Sequence, residues 1–278
     1  MTPRVLVLVV LSIGLIGSAD FFGGIASKRS SPFTVAALSQ WVGVPVITVV
    51  ALLEGGAMIA RDAQLGLLAG VGSALGVVVM YRGFSVASVG VVAPIASTVG
   101  AMLPIVVGLA TGERPSALVA TGLVFGVASV LLVGYVRGQA RLSIRGVAHG
   151  IVAGSGFAAM VVIYAATSEA SGLTAAVSGR ISAATLATLA MVAVGAPRRV
   201  SRTAVKPAVL SGVFAGVGMG FFVSASQVGE LVVVGVAVAM FPVVTVILAA
   251  LFLDERLVRS QWAGVALAAS AVAMISVG

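Results

Sequence analysis

The sequence predicts an all-α membrane protein with ten transmembrane helices, arranged as two inverted five-helix repeats. Hydrophobic residues make up 60% of the 278-residue chain and charged residues 9%, a composition that excludes a soluble globular protein. Ten apolar stretches reach the length of about 20 residues that a helix needs to cross a bilayer. These stretches follow one pattern of five helices written twice. Because five is odd, the second copy enters the membrane from the opposite side.

The predicted spans fill almost the whole chain, so the connectors are too short to form a soluble active site. The first apolar run follows Arg4, as a signal peptide would, but it continues through Phe22 and Ile25 and is interpreted as the first span. The ten predicted spans are Val5–Ala26, Phe33–Leu53, Leu65–Phe84, Val89–Ala110, Ala117–Val136, Gly146–Ala166, Thr174–Gly195, Ala208–Ser226, Leu231–Leu253 and Val258–Val277.

Short motifs recur at corresponding places in the two halves of the chain. We therefore assign residues 1–138 to the first repeat and residues 139–278 to the second. Inverted repeats of this kind are typical of secondary transporters. The matching motifs, first half against second, are Gly112-Glu113-Arg114 and Asp254-Glu255-Arg256, Gly122 and Gly264, Ser88-Val89-Gly90 and Gln227-Val228-Gly229, and Gly17-Ser18 and Gly154-Ser155.

The net charge of +8 resides in the connectors, where basic residues meet anionic headgroups and set orientation, so it does not indicate nucleic-acid binding. The side of the N-terminus carries Arg4, Arg61 and Arg114, and Arg180 lies within a helix. The positive-inside rule therefore predicts that both termini face away from the cytoplasm. The basic residues on the opposite side are Lys28, Arg29, Arg82, Arg137, Arg141, Arg145, Arg198, Arg199, Arg202, Lys206, Arg256 and Arg259.

Thirty-five glycines in a helical chain indicate closely packed helices, because small residues let helix backbones approach within a bilayer. GxxxG spacings occur at Gly72/Gly76 in the third span and at Gly212/Gly216 in the eighth. We expect both spans to make close contacts that move during function. Pro94 and Pro104 flank Ser97-Thr98 in the fourth span, which predicts either a simple bend or a polar patch facing a cavity.

Two ionisable residues fall well inside predicted spans, Asp20 in the first and Arg180 in the seventh. A charge at the bilayer centre costs about 2.5 to 3.5 kcal/mol even on insertion scales, so both are functional candidates. Asp20 suits a group that takes up and releases a proton. Each residue lies about six residues inside its span, and the two spans start at opposite membrane surfaces. The backbones of Asp20 and Arg180 therefore differ by roughly 12 Å in depth. A static ion pair and two separate charges around one cavity therefore both remain open.

Aromatic and polar residues near these two charges predict a solute cavity lined by spans one to four and six to nine. Rings beside a carboxylate form apolar walls and can hold an organic cation. The predicted cavity residues are Asp20, Phe21, Gln40, Trp41, Tyr81, Ser97, Thr98, Arg180, Phe221 and Phe222. Charged residues at span ends, which we expect water to solvate, are Arg82, Glu113, Glu169, Glu230 and Glu255.

The sequence offers no basis for a metal site or a cofactor. It contains no cysteine and one histidine, His149, so thiolate sites and multi-histidine sites are excluded. It also carries no Walker phosphate-binding loop, so ATP is not the direct source of energy. We expect the partners to be a small-molecule substrate, the lipid bilayer, and protons or a counter-substrate, with the protein a monomer or a weak homodimer.

Taken together, these motifs resemble the ten-helix EamA-like branch of the drug/metabolite transporter superfamily. The resemblance implies a polytopic carrier of small organic solutes, commonly an exporter. Arg180 falls where the family often places an arginine, and Gln40-Trp41 occupies the corresponding place in the first half. Family members often keep their termini in the cytoplasm, contrary to the charge distribution here. The residues that carry the resemblance are Tyr81, Ala87-Ser88, Pro94, Pro104, Gly112-Glu113, Gly122 and Gly126, with Ala225-Ser226, Pro242, Asp254-Glu255, Gln261 and Gly264.

The sequence thus predicts a secondary active transporter of a small metabolite or drug-like solute, working by alternating access in a bacterial-type inner (plasma) membrane as an exporter or exchanger. The nearest alternative is a translocator of a lipid or lipid-linked precursor. An intramembrane enzyme would need a nucleophile paired with a base, or a metal cluster, and one aspartate with one histidine is too little. A passive channel would more naturally show a selectivity ring.

Overall fold

The computed structural model describes residues 2–87, 89–134, 144–252 and 258–277. Within these ranges the chain is helical apart from short connectors and contains no strand. A 3₁₀ turn, Glu169–Ser171, lies between the sixth and seventh helices. The α-helices are α1 (Pro3–Arg29), α2 (Pro32–Glu54), α3 (Ala60–Val86), α4 (Val89–Ala110), α5 (Ala117–Gly134), α6 (Ile144–Ala165), α7 (Thr174–Ala193), α8 (Arg202–Val228), α9 (Leu231–Val238), α10 (Phe241–Phe252) and α11 (Arg259–Val277).

The helices have the length and apolarity of membrane spans. In the described ranges, eight segments are long and apolar enough to cross a bilayer: α1 to α4, α6 to α8, and the combined stretch Leu231–Phe252. A shorter apolar helix covers Ala117–Leu132. The predicted all-α membrane fold is confirmed. The orientation relative to the cytoplasm stays a prediction.

The ninth predicted span is not one helix but two, α9 and α10, which are separated at Ala239 and Met240. Pro242 has no backbone N–H to donate to the preceding turn, and its ring disfavours helical geometry in the residue before it. Around the break, the Met240 and Val243 amides donate to carbonyls three residues earlier instead of four. By contrast, α2 runs through Pro45, and α4 runs through its two prolines.

Most helix packing in this molecule runs between the two halves of the chain. Helix α1 packs on α8 and α3 packs on α6, while α2 packs on both α7 and α8 and α3 also packs on α7. Helix α5 pairs with α11 at the side of the bundle. In a five-helix repeat, α1 to α3 are equivalent to α6 to α8, and α5 is equivalent to α11. Replacing each helix by its equivalent turns every one of these pairs into another pair of the set or into itself. An inverted repeat would give this pattern, although the repeat and its boundary at 138/139 stay predictions.

Several residues used in the sequence comparison lie outside the described residues, namely Ser88, Arg137, Arg141 and Asp254-Glu255-Arg256.

Glycines occupy the contacts where helices from different halves approach most closely. A Cβ on Gly72 would overlap the Gly156 carbonyl oxygen of α6, and a Cβ on Gly212 would overlap the Ser39 carbonyl oxygen of α2. The predicted close contacts of the third and eighth spans therefore exist, each with helices of the opposite half. Whether they move stays a prediction.

Candidate functional site

A central cavity of about 90 Å³ lies between the two halves. Its walls come from α1 to α4, α6 to α8, and the junction between α9 and α10, so every span predicted to line the cavity (one to four and six to nine) contributes. That volume holds several water molecules or part of a small solute. The wall is mainly apolar, with Phe157 and Met160 of α6 and Met219 of α8, and its polar groups are few.

Arg180 of α7 is the cation in this wall. Its side chain is 5% exposed, and neither Nε nor Nη2 has a hydrogen-bond partner among the described residues. The guanidinium lies against Gly43 of α2, where an added Cβ would overlap Nε, Cζ and Nη2. A glycine at position 43 therefore makes room for the guanidinium between α2 and α7.

Gln40 lies three residues before Gly43, on the same face of α2. It is 1% exposed, and neither atom of its amide has a hydrogen-bond partner in the described part of the chain. Gln40 and Arg180 both line the cavity. The cavity wall therefore contains a buried amide and a buried guanidinium with donors and an acceptor that the described residues leave without partners.

Asp20 of α1 supplies the negative charge and is partly buried in the same wall. The ion pairs found among the described residues are Arg4–Glu169 at 3.0 Å and Arg61–Asp62 at 3.5 Å, so Asp20 and Arg180 form none. Of the two possibilities left open by the sequence, the structure contains two separate charges around one cavity.

Tyr81 of α3 crosses the cavity wall between α1 and α8. Its hydroxyl shares a hydrogen bond of 3.1 Å with Ser211 of α8. The same hydroxyl lies against Gly23 of α1, where a Cβ would overlap it. Tyr81 thus bridges the two halves beside the cavity.

The structure places half of the ten predicted cavity residues in the wall: Asp20, Gln40, Tyr81, Ser97 and Arg180. Thr98 instead lines a small separate cleft beside α5 and α9.

The predicted aromatic residues other than Tyr81 lie elsewhere. Trp41 is 46% exposed on the outer face, and its indole donates to Thr188 at 2.9 Å. Phe21 packs edge-on against Phe22, with ring centroids 5.2 Å apart, and Phe222 packs against Tyr164. Phe221 is not one of the described residues that line the cavity. Consecutive helix residues point about 100° apart, so the cavity wall includes Ala19 and Ser39 on one side of Asp20 and Gln40 but not the residues that follow them.

Cavity residues that sequence reasoning missed follow four-residue spacing. Ser73, Val77 and Tyr81 form one stripe on α3. A second stripe, on α8, consists of Ser211, Ala215 and Met219. The signal was present, because residues four apart share a helix face. Extending back from Tyr81 in steps of four would have found Val77 and Ser73.

Glu113 has a structural partner that the sequence did not reveal. Its carboxylate accepts hydrogen bonds from the Leu231 amide at 2.7 Å and the Val232 amide at 2.9 Å, at the start of α9. Gly112 precedes it with a φ of +103°, in the region that glycine adopts readily. Glu113 is partly exposed at a span end, as expected, and its carboxylate in addition caps a helix of the second half from this loop of the first half.

Comparison with protein-family models identifies the second half of the chain. Residues 144–277 match the EamA-like transporter family. This half is an EamA-like transporter domain. The resemblance inferred from the motifs is confirmed for this half, and the family match indicates a multi-pass membrane protein of a small-solute transporter type.

Comparisons with individual proteins add information on the EamA-like fold. No curated protein matches the sequence, whereas 27 chains of solved structures match. One of them, described only as "Crystal structure of protein", superposes with a TM-score of 0.79 at 16% identity. The match covers 99% of this chain and 96% of that one. At such low identity, the likeness concerns the fold alone.

Proposed function

We propose that the protein is a secondary active transporter that carries a small organic solute through the central cavity by alternating access, as an exporter or exchanger of the plasma membrane. The observation that carries this proposal is the position of the cavity between two halves. Asp20 enters it from the first half and Arg180 from the second. Rocking of one half against the other would change the surroundings of both charges together.

Asp20 is the group we assign to coupling. It is the acidic residue of a largely apolar wall, and it is not held in an ion pair with Arg180. A carboxyl group in this position can bind a proton on one side of the membrane and release it on the other. Exchange against a counter-substrate is the other way to drive the cycle.

Backbones of opposite halves meet at the membrane face where α1 begins. The Ala57 amide of the first half donates to the Ala170 carbonyl of the second half at 2.9 Å. Because the chain contains no cysteine, the double variant Ala57→Cys/Ala170→Cys can form one defined disulfide between neighbouring backbones.

A counterflow experiment with this variant tests alternating access. A thermal-shift screen of amino acids, purines, sugars and quaternary amines first supplies a labelled solute. Proteoliposomes preloaded with unlabelled solute should then take up the labelled form faster than empty ones. Oxidation should stop counterflow, and a reductant should restore it, because the disulfide prevents the halves from separating at this face.

The single variant Ala57→Cys, treated with the same oxidant, is the matched control and should keep full activity. Counterflow that persists through complete cross-linking would refute movement of the halves. Uptake that preloading does not accelerate would indicate a channel instead. If none of these solutes binds and proteoliposomes instead show counterflow of a lipid-linked precursor, the translocator alternative is favoured.

A further inference from the structure

Three side chains of the cavity wall, Ser97, Gln40 and Arg180, have buried polar atoms without partners among the described residues, and two of them lie on the neighbouring helices α2 and α7. Arg180 is 5% exposed and Gln40 is 1% exposed. Four of their polar atoms (Nε and Nη2 of Arg180, with both amide atoms of Gln40) have no hydrogen-bond partner within the described residues. A buried polar group without a partner is expensive, and a buried charge more so. A ligand that forms hydrogen bonds with these atoms would offset the cost.

Arg180 lines the cavity, and Gly43 of α2 leaves the space that its guanidinium occupies. Nε and Nη2 lie against Gly43, where a side chain would displace them. Gln40, one turn earlier on α2, lies on the same face and also lines the cavity. An arginine fork matches the two oxygens of a carboxylate, which it binds through parallel hydrogen bonds. The neighbouring amide adds a further N–H donor.

The rest of the wall restricts what else the solute can carry. Phe157, Met160 and Met219 give the cavity a mainly apolar lining, which suits a hydrocarbon or aromatic body. Asp20 lies in the same wall but forms no ion pair with Arg180. Asp20 therefore leaves the arginine fork available, and an ionised Asp20 would direct a solute carboxylate away from itself toward Arg180.

We propose that Arg180 and Gln40 form an anion subsite that binds the carboxylate of the transported solute, whose apolar body contacts Phe157, Met160 and Met219. This inference rests on the proposed transport function and specifies the chemistry of its substrate. Arg180 supplies the charge and geometry, Gln40 adds a neutral hydrogen bond, and Gly43 keeps the space that the guanidinium occupies.

Binding of two matched probes to the purified protein tests the subsite. The probes are 3-phenylpropanoate and 3-phenylpropanamide, which share a body and differ in the carboxylate, and calorimetry is performed at constant ionic strength. The wild-type protein should bind the acid at least about tenfold more tightly, because hydrogen bonds to charged groups are the stronger ones. Arg180→Gln should remove this preference by weakening the acid while leaving the amide unchanged. Gln40→Leu should weaken the acid by a smaller factor.

Two further variants separate charge geometry from general damage. Arg180→Lys keeps the positive charge and loses the fork, so it should recover only part of the preference. Arg198→Gln removes an exposed connector arginine and should bind both probes as the wild type does. Size-exclusion profiles and thermal melts of all variants verify folding.

The outcomes distinguish the subsite from the transport function. The subsite is overturned if the wild type binds acid and amide equally, or if Arg180→Gln keeps the preference for the acid. In that case, counterflow of another solute would still support the transport function. An Arg180-dependent preference for the acid supports the subsite, even where the cross-linking experiment contradicts alternating access.

Discussion

The central cavity and the membrane face where α1 begins differ in how their charged side chains are paired. At that face, side chains pair across the halves: Glu113 caps α9, and Asp62, which is fully buried, accepts a hydrogen bond from the Ser168 amide at 2.9 Å. In the cavity, Arg180 and Gln40 are buried like Asp62 but have unpartnered atoms within the described residues. Both regions lie between the halves, so burial alone does not account for the difference.

This difference separates groups that hold the protein together from groups reserved for a ligand. A satisfied buried hydrogen bond contributes about 0.5 to 1.5 kcal/mol to stability, whereas an unsatisfied buried group costs about 1 to 3 kcal/mol. Substitutions at the face should therefore lower stability more than transport. Substitutions in the cavity should do the reverse.

The largest expected effect is at Asp20. Asp20→Asn keeps the size of the side chain and removes its titratable group, so proton-gradient-driven transport should be abolished while solute counterflow and the melting temperature persist. Asp62→Asn is the matched control, because it removes a carboxylate that is paired at the face, and it should keep gradient-driven transport. Proteoliposome uptake with and without an imposed pH gradient measures both. Undiminished gradient-driven transport in Asp20→Asn would end its assignment to coupling.

An intermediate effect is expected at Gly43. A Cβ there would overlap the end of a flexible arginine side chain, so Gly43→Ala should displace the guanidinium without unfolding the protein. We expect solute affinity to fall by about tenfold, as for a lost charge-assisted hydrogen bond. Gly24→Ala is the control, since nothing lies within 4 Å of its added Cβ. Half-saturation of counterflow measures the change, and equal losses in the two variants would contradict the role given to Gly43.

The smallest effect is expected at the face. Glu113→Gln removes the charge from the α9 cap, and the protein should lose about 1 to 2 kcal/mol of stability. Glu169→Gln breaks an ion pair with Arg4 whose side chains are 63% and 58% exposed, and its effect should stay within about 0.5 kcal/mol. Denaturation in a mild detergent compares them. A larger loss in Glu169→Gln would show that the cap contributes little.

Periodicity and hydrophobicity predicted the helices because a bilayer imposes length and apolarity on every span. Asp20 and Arg180 were predicted as cavity residues because an intramembrane charge is costly anywhere else. Trp41 and Phe21 were predicted as cavity residues because each follows a cavity residue in the sequence. They lie elsewhere because successive residues of a helix point in different directions. The partner of Glu113 lies 118 residues away, and no local pattern in the sequence encodes such a contact.

The broken ninth span has a mechanical consequence. Its α9 end is fastened to the first half by Glu113, and in α10 the Thr245 hydroxyl donates to the Gly17 carbonyl of α1 at 3.0 Å. Between these attachments, the break at Ala239 and Met240 borders the cavity. A span that is attached on both sides of a break changes shape most easily by bending at the break. A change in the angle between α9 and α10 would therefore change the space available to a solute.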